Sequence, residues 1–483
     1  MTPAGVALSA LLLAATAGGG PDATWFRDAT VGSGIPSVKY GEGACLFDLD
    51  GDGLPELFLP VVKGKNRLFA NRGNGRFEDV TDAKGVGDAG GIGAVIGDLD
   101  GDGLPDLYVV RGAYPYGVNL LYRQWPDGVF RVVPPSDKAP DRRNGIAVVL
   151  GDVDGAGRPD LFVANWGVNA LLRNRSTPGE MRMEDETRAA GLAEEGRNWG
   201  ALFTDLDGDG KPDLLVLRGG AGKPEEPKVY INRGDGTFED RSEASGIRGP
   251  TWSLGAVSAD FDGDGDLDLF VTGYDGDDRL FRNEGGGRFT DVTATSGIRS
   301  GHSVGAAAGC VDGDLLPDLV VAGFQGPVRI YRNLGGLTFG EMGARSGILP
   351  SRKNEGVVLA DIDDDGDLDL YVANYEGENR LYRNTLDDGR YLKVRAESGG
   401  RAAVGAVARL YRPGRIGERG ALLATLELSS GHGFCSQGPA ELLFRVPDTG
   451  PYDLRVTFPG GAAVDRKGVM AGRVTVQGPG AAR

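Results

Sequence analysis

Apolar positions in this chain come in short bursts separated by glycine-rich and acidic stretches, a pattern of strand length with no helical stripe. Gly93-Ala94-Val95-Ile96-Gly97 leads into an acidic stretch at Asp98, and Leu107-Tyr108-Val109-Val110 leads out of it. A third run follows, as in Asn66-Arg67-Leu68-Phe69, Arg279-Leu280-Phe281-Arg282-Asn283 and Asn379-Arg380-Leu381-Tyr382-Arg383-Asn384. Turns at Asn74-Gly75, Asp235-Gly236 or Gly286-Gly287 precede a fourth run beginning near Phe77, Phe238 or Phe289. Asn-Gly and Asp-Gly suit tight hairpins whose central residues take positive φ. Each unit therefore predicts four short antiparallel strands.

The unit recurs. Acidic loops begin at Asp48, Asp98, Asp152, Asp205, Asp260, Cys310 and Asp361, 50 to 55 residues apart. Seven four-stranded units without helical periodicity predict an all-β, seven-bladed propeller. Glycines at 43, 93, 200, 255, 305 and 356, five positions before six of the seven loops, suit inner strands crowded around an axis. Trp25-Phe26-Arg27-Asp28-Ala29-Thr30 reads as the end of a unit, which the seventh unit lacks. The N-terminal strand is thus expected to close the last blade and remove the exposed edges. The expected division is a signal peptide over 1–17, a propeller over 22–388, a small β domain over 389–478 and a tail over 479–483.

The acidic loops carry oxygen ligands at alternate positions with a glycine at the sharp turn, as calcium requires. The first four complete loops supply Asp48, Asp50, Asp52 and Glu56; Asp98, Asp100, Asp102 and Asp106; Asp205, Asp207, Asp209 and Asp213; and Asp260, Asp262, Asp264 and Asp268. The fifth supplies Asp361, Asp363, Asp365 and Asp369. Position 7, occupied by Leu54, Leu104, Arg158, Lys211, Asp266 and Asp367, would offer a backbone carbonyl. The third loop keeps Asp152, Asp154 and Asp160 but has Ala156 at position 5. The sixth keeps Asp312, Asp314 and Asp318 but has Cys310 at position 1 and Leu315 in place of glycine. About five to seven calcium ions are expected. An EF-hand is excluded, because position 12 is an apolar strand residue in every unit (Leu59, Val109, Val163, Val216, Val271, Val321, Val372).

Composition narrows the partners. A net charge of −17 repels phosphate backbones, which argues against nucleic acid. The 82 glycines follow no collagen period, and 40% apolar residues exclude disorder. Val6 to Ala14 with Ala15-Thr16-Ala17 behind it reads as a cleavable export signal, too short to span a bilayer. The chain is read as exported to the periplasm, cell surface or medium, not integral to a membrane, and monomeric. Three cysteines allow no disulfide framework and read as buried thiols.

The repeated Asp-x-Asp-x-Asp-Gly-x-x-Asp-Leu loop resembles the FG-GAP or VCBS repeat over about Trp25 to Asn384. Tyr391 to Val476 resembles an ASPIC/UnbV domain. That likeness rests on Val404-Gly405-Ala406-Val407-Ala408-Arg409-Leu410, on Ser429-Ser430-Gly431-His432-Gly433-Phe434-Cys435-Ser436-Gln437, and on Val456-Thr457-Phe458-Pro459-Gly460-Gly461. The chain has Phe444-Arg445-Val446-Pro447 where that family has Phe-Gly-Leu-Gly, and Phe458 where it has Trp. Together the two parts resemble the cartilage acidic protein-like family, which implies structural calcium and a propeller used for interaction.

Aromatic side chains collect at the opposite strand ends from the acidic loops. Trp166, Tyr274, Phe324 and Tyr375 follow the second strands, and Trp199 and Trp252 precede the first. They form the candidate ligand face for a protein or glycan. No nucleophile motif is present, and His302 and His432 are the only histidines, His432 being read as structural. The expectation is a non-catalytic binding or scaffold module. A glycosidase or lyase with a carboxylate pair on the aromatic face is the alternative.

Overall fold

The structure, a computed structural model, describes residues 24–112, 118–134, 143–386, 390–431 and 433–479. The export signal over 1–17, His432 and residues 480–483 of the expected tail lie outside the described residues. Among those described, the strands form seven four-stranded antiparallel units and two further four-stranded sheets. The first unit is Cys45–Phe47, Glu56–Leu59, Arg67–Asn71 and Phe77–Asp79, from the axis outward. The third and fourth units merge into one eight-stranded sheet because Trp166–Val168 pairs with Glu195–Arg197. The last unit is Asn354–Ala360, Asp369–Asn374 and Arg380–Asn384, completed by Phe26–Asp28. Phe26 lies opposite Asn384 and Asp28 opposite Tyr382, and Asp28 accepts from Arg380 at 2.6 Å. The chain is a β-propeller whose first strand belongs to its last blade.

Adjacent blades share apolar seams. Leu46, Leu57 and Phe69 of the first blade pack with Val358, Tyr371 and Leu381 of the last, so the seam closes the ring. A polar staple accompanies each seam but one. The asparagine ending a third strand donates its side-chain amide to the previous blade's loop: Asn174 to Leu99 at 2.8 Å, Asn232 to Val153 at 3.0 Å, Asn283 to Leu206 at 3.1 Å and Asn333 to Phe261 at 2.9 Å. Asn384 reaches Val311 at 3.0 Å, and Asn71 reaches back to Ile362 at 2.8 Å, closing the circle. The second blade has Gln124 in this position. Asn283→Ala would leave the carbonyls of Leu206 and Leu267 unpaired in the interior. It is expected to cost about 2–4 kcal/mol in urea unfolding, since an orphaned buried group costs ~1–3 kcal/mol.

The two C-terminal sheets pack face to face. One joins Arg401–Ala402, Tyr391–Ser398 and Leu442–Arg445, with Gly472–Gln477 parallel to Tyr391–Ser398. The other orders Leu422–Glu427, Val407–Tyr411, Tyr452–Thr457 and Ala463–Val469. Their core is apolar, built on Leu392, Val394, Leu410, Leu454, Val456 and Phe458.

This sandwich does not stand apart from the ring. It sits over the acidic loops and sends residues 429–431 and 433–438 down the axis. Ser430 Oγ exchanges two 2.7 Å hydrogen bonds with the Leu150 backbone. Gly433 pairs with Ala256, and Gln437 holds the Ile96 backbone at 2.7 and 2.9 Å. Phe434 and Cys435 are buried against Val149, Leu254 and Val304. The inner-strand glycines therefore answer to two causes. At Gly200 and Gly305 a side chain would overlap the carbonyl of the neighbouring inner strand. At Gly43, Gly93 and Gly356 it would meet Cys435 or Ser436 of the inserted segment. All three cysteines are buried free thiols. No described helix is long and apolar enough to cross a membrane.

Candidate metal loops and aromatic mouth

In the second loop, Asp98 accepts from the amides of Gly101 at 2.6 Å and Gly103 at 3.1 Å. Asp100 accepts from Asp102 N–H at 3.1 Å, and Asp102 from Leu104 N–H at 2.9 Å. The turn glycines Gly101 and Gly103 hold φ of 74° and 88°, which lets the chain wrap around the acids. Asp48, Asp205, Asp260 and Asp361 hold equivalent amides. Carboxylate oxygens consequently converge. Within each of five groups they lie within 4.8 Å of one another: Asp48, Asp50 and Glu56; Asp98, Asp100 and Asp106; Asp152, Asp154 and Asp160; Asp205, Asp207 and Asp213; and Asp260, Asp262 and Asp264. All-carboxylate oxygen donors at this spacing fit a hard divalent cation such as calcium.

The position-9 acids do more than face the cluster. Asp106 accepts from Leu99 N–H at 3.0 Å and from Gln124 N–H at 3.0 Å, tying loop to third strand. Glu56, Asp160, Asp213, Asp268, Asp318 and Asp369 make the same stitch. Burial, with neighbouring loop carboxylates adding to it, pushes Asp106 and Asp268 up to about 8 and Glu56 up to about 7. Burial likewise pushes up Asp160, to about 7, partly offset by Arg173. At position 7, the amides of Leu54, Leu104, Lys211, Asp266 and Asp367 bond to the position-5 carboxylate.

Side-chain cations reach most loops. Arg123 contacts Asp100 at 2.6 Å and Asp102 at 2.8 Å, Arg332 contacts Asp312 at 2.5 Å, and Arg383 contacts Asp363 and Asp365. In the third loop the buried Arg173 contacts Asp154 and Asp160, while Ala156 supplies only its amide. Arg158 turns to the Asn174 carbonyl, and Lys211 pairs with Asp209. In the sixth loop Leu315, where glycine belongs, packs against the C-terminal core, and Cys310 is buried.

More cations come from the C-terminal sandwich, which the sequence reading left without a role. Arg395 meets Asp48 at 3.0 Å, Arg401 meets Asp98 at 3.4 Å and Arg419 meets Asp264 at 3.5 Å. The last loop is the most enclosed. Lys393 Nζ lies 2.8 Å from Asp361 and 2.7 Å from Asp364, and Arg445 lies 2.5 Å from Asp367, with Lys393, Arg445 and Asp367 all buried. Lys393 and Arg445 lie on neighbouring strands and diagonal to each other, Lys393 facing Leu443 and Tyr391 facing Arg445 in register. The alternation of Lys393 and Arg395 on one strand was the available signal, since it puts two cations on one face.

The opposite strand ends carry the aromatic side chains. Ring centroids run 5.0 Å from Trp166 to Trp199, 6.2 Å to Trp252, 4.6 Å to Tyr274 and 5.2 Å to Phe324. Tyr375 instead pairs with Tyr40 at 5.4 Å, beneath Lys63 Nζ. Trp199, Trp252, Tyr274 and Phe324 pack onto the core that holds Phe434, and Trp166 stays 46% exposed. Sequence reasoning missed Glu42 and Glu355. Both carboxyls are pushed up, by burial first and, for Glu355, by the facing Glu42.

These features define a repeat-built β-propeller with acidic loops on one face and aromatic rings at the other mouth. The FG-GAP-like repeat matches residues 48–109, 152–216, 205–271, 260–309 and 311–372, and the chain belongs to that family. Cartilage acidic protein 1 of Mus musculus is 26% identical over 203 residues, covering 40% of this chain and 31% of that protein. The Homo sapiens protein of the same name is 26% identical, covering 40% and 30%. The match thus spans less than a third of either relative. Among solved structures, an Agrocybe aegerita lectin recognising non-reducing terminal N-acetylglucosamine aligns at TM-score 0.41 and 20% identity, covering 73% of this chain and 92% of that one. The rhamnogalacturonan lyase YesW aligns at TM-score 0.44 and 15% identity, covering 75% and 76%.

Proposed function

We propose that this chain is an exported binding or scaffold module whose acidic loops hold calcium structurally and whose aromatic mouth meets the partner, a protein or glycan. Residues 22–388 serve as the ring and 389–478 as a cap. At each of the five complete loops the ligand set is Asp, Asp and Asp at positions 1, 3 and 5, the position-7 carbonyl and the position-9 acid, while the third lacks the position-5 ligand and the sixth the position-1 ligand. The observation that carries the reading is the arc of five touching aromatic side chains at the strand ends away from the loops. With the loop face covered by the sandwich, that arc is the apolar, ring-lined surface left to a partner. Aromatic side chains of this kind carry a disproportionate share of binding energy.

The test is a glycan array together with a pull-down, comparing wild type with Trp166→Ala/Tyr274→Ala/Tyr375→Ala. Captured signal is expected to drop at least about tenfold, the equivalent of ~1.4 kcal/mol. Undiminished capture by the triple variant refutes the aromatic face.

A carbohydrate-cleaving enzyme is the second reading, favoured by the Glu42 and Glu355 carboxyls near that mouth. Such chemistry needs one carboxyl ionised while the other is protonated. Here burial pushes Glu42 up to about 7 and, with Glu42 adding to it, Glu355 well above the carboxylate range, so Glu355 would be the protonated member of the pair. Hydrolysis of aryl glycosides that disappears in Glu355→Gln would establish the enzyme reading instead.

A further inference from the structure

Beside the aromatic arc stands a carboxylate without a partner. Glu355 begins the last inner strand, is 7% exposed, and its Oε2 meets no hydrogen-bond donor among the described residues. It lies close enough to the Tyr274 phenol to help burial push that group up. Burial and the Glu42 carboxyl act against its charge, and Lys353 only partly compensates, being held 2.9 Å from Glu376. A second orphan lies in the same arc: Trp252 Nε1 is buried with no acceptor among the described residues. Trp252 and Tyr274 have ring centroids 4.6 Å apart. The mouth therefore holds one unmet acceptor and one unmet donor, both enclosed, beside apolar ring faces. Its chemistry toward amines is visible within the chain, where Lys63 Nζ sits 4.7 Å over Tyr40 and Lys353 Nζ 5.3 Å over Phe324.

Resting on the aromatic-face reading, we propose that this mouth binds a sugar bearing a free amine. The ammonium donates to Glu355, a ring hydroxyl accepts from Trp252, and the sugar's C–H face lies on the Trp and Tyr rings. Each element selects against an alternative. A neutral sugar brings no counter-charge, so Glu355 stays protonated and the charge-assisted hydrogen bond that an ammonium would form with the ionised carboxylate is lost. A quaternary ammonium has no N–H for Oε2. A lysine side chain brings the ammonium but no adjacent hydroxyl for Trp252.

The test uses the full chain with calcium and follows tryptophan fluorescence during titration with D-glucosamine, N-acetyl-D-glucosamine and Nα-acetyl-lysine amide. Glucosamine is expected to bind at least about tenfold more tightly than either other probe, a gap of ~1.4 kcal/mol. Glu355→Gln should erase its advantage over N-acetylglucosamine while leaving the melting temperature near wild type. Equal or tighter binding of N-acetylglucosamine overturns the ammonium assignment and leaves the aromatic face intact. Equal binding of the lysine derivative overturns the sugar. Absence of any glucosamine response overturns both parts of the inference, and wild-type affinity in the Trp166/Tyr274/Tyr375 triple variant refutes the face itself. Should Glu355→Gln fail to fold, the comparison of the three probes on wild type decides alone.

Discussion

Stripping calcium from the intact chain is expected to lower its melting temperature by on the order of 10 °C at pH 8 and by much less at pH 5. Each saturated site adds about 2.7 kcal/mol when free calcium is a hundred times its Kd. With calcium in the five complete loops of one ring, these contributions would add. The pH dependence follows from the carboxyls. Burial pushes Asp106 and Asp268 up to about 8, Glu56 and Asp160 up to about 7, and Asp152, Asp205 and Asp260 up to about 6. In the unfolded chain the same groups titrate near ~4. A carboxyl whose folded pKa is raised favours the folded state below the unfolded value, and this stability is lost as pH rises through the folded pKa. The metal-free ring should therefore weaken steadily between about pH 4 and pH 8. Groups shifted the other way, such as Asp28 and Asp240, act only on the acid side of that window. Calcium replaces the protons and flattens the curve. Thermal melts at pH 5, 6.5 and 8, with calcium and after treatment with a chelating resin, would show this divergence. Coincident melts at pH 8 would contradict structural calcium.

Gly433→Ala should destabilise the chain by about 3–4 kcal/mol, while Gly468→Ala should cost only about 1 kcal/mol. Both glycines hold positive φ, 55° at Gly433 and 66° at Gly468, so both substitutions carry backbone strain. Only Gly433 is enclosed. A Cβ there would overlap the Ala306 backbone, whereas nothing lies within 4 Å of one at Gly468. Gly433 also pairs with Ala256 through amide and carbonyl, and displacement would leave both groups unpaired in the interior. The difference between the two variants isolates how tightly the inserted segment is packed. Equilibrium urea unfolding at fixed calcium measures it, and equal costs would mean that Gly433 and its described neighbours do not lie on the axis.

The repeat was legible because its signals are local. Apolar bursts, hairpin glycines and acidic spacing each lie within a few residues, and the physics that folds one blade does not consult the next. Phe26–Asp28 pairing with Arg380–Asn384 was legible for a related reason: a unit's closing pattern stood at the wrong end of the chain. The inserted segment was not legible. Ser429 to Gly438 is small, polar and glycine-rich, which reads as a surface loop. Its partners Leu150 and Ile96 lie 280 and 341 positions away. The staple asparagines such as Asn232 were visible as a repeated residue, but their acceptors lie on a neighbouring blade.

What the sequence by itself determined, then, is the unit, its repetition and the carboxylate clusters, because strand pairing and loop geometry are set by short-range pattern. Only the tertiary structure decided which face stays open. The sandwich covers the loops with Lys393, Arg395, Arg401 and Arg445, and leaves Trp166 and its neighbours at the free mouth. It likewise decided that Glu355 and Trp252 are orphaned there, since a missing partner is a property of everything packed around a group.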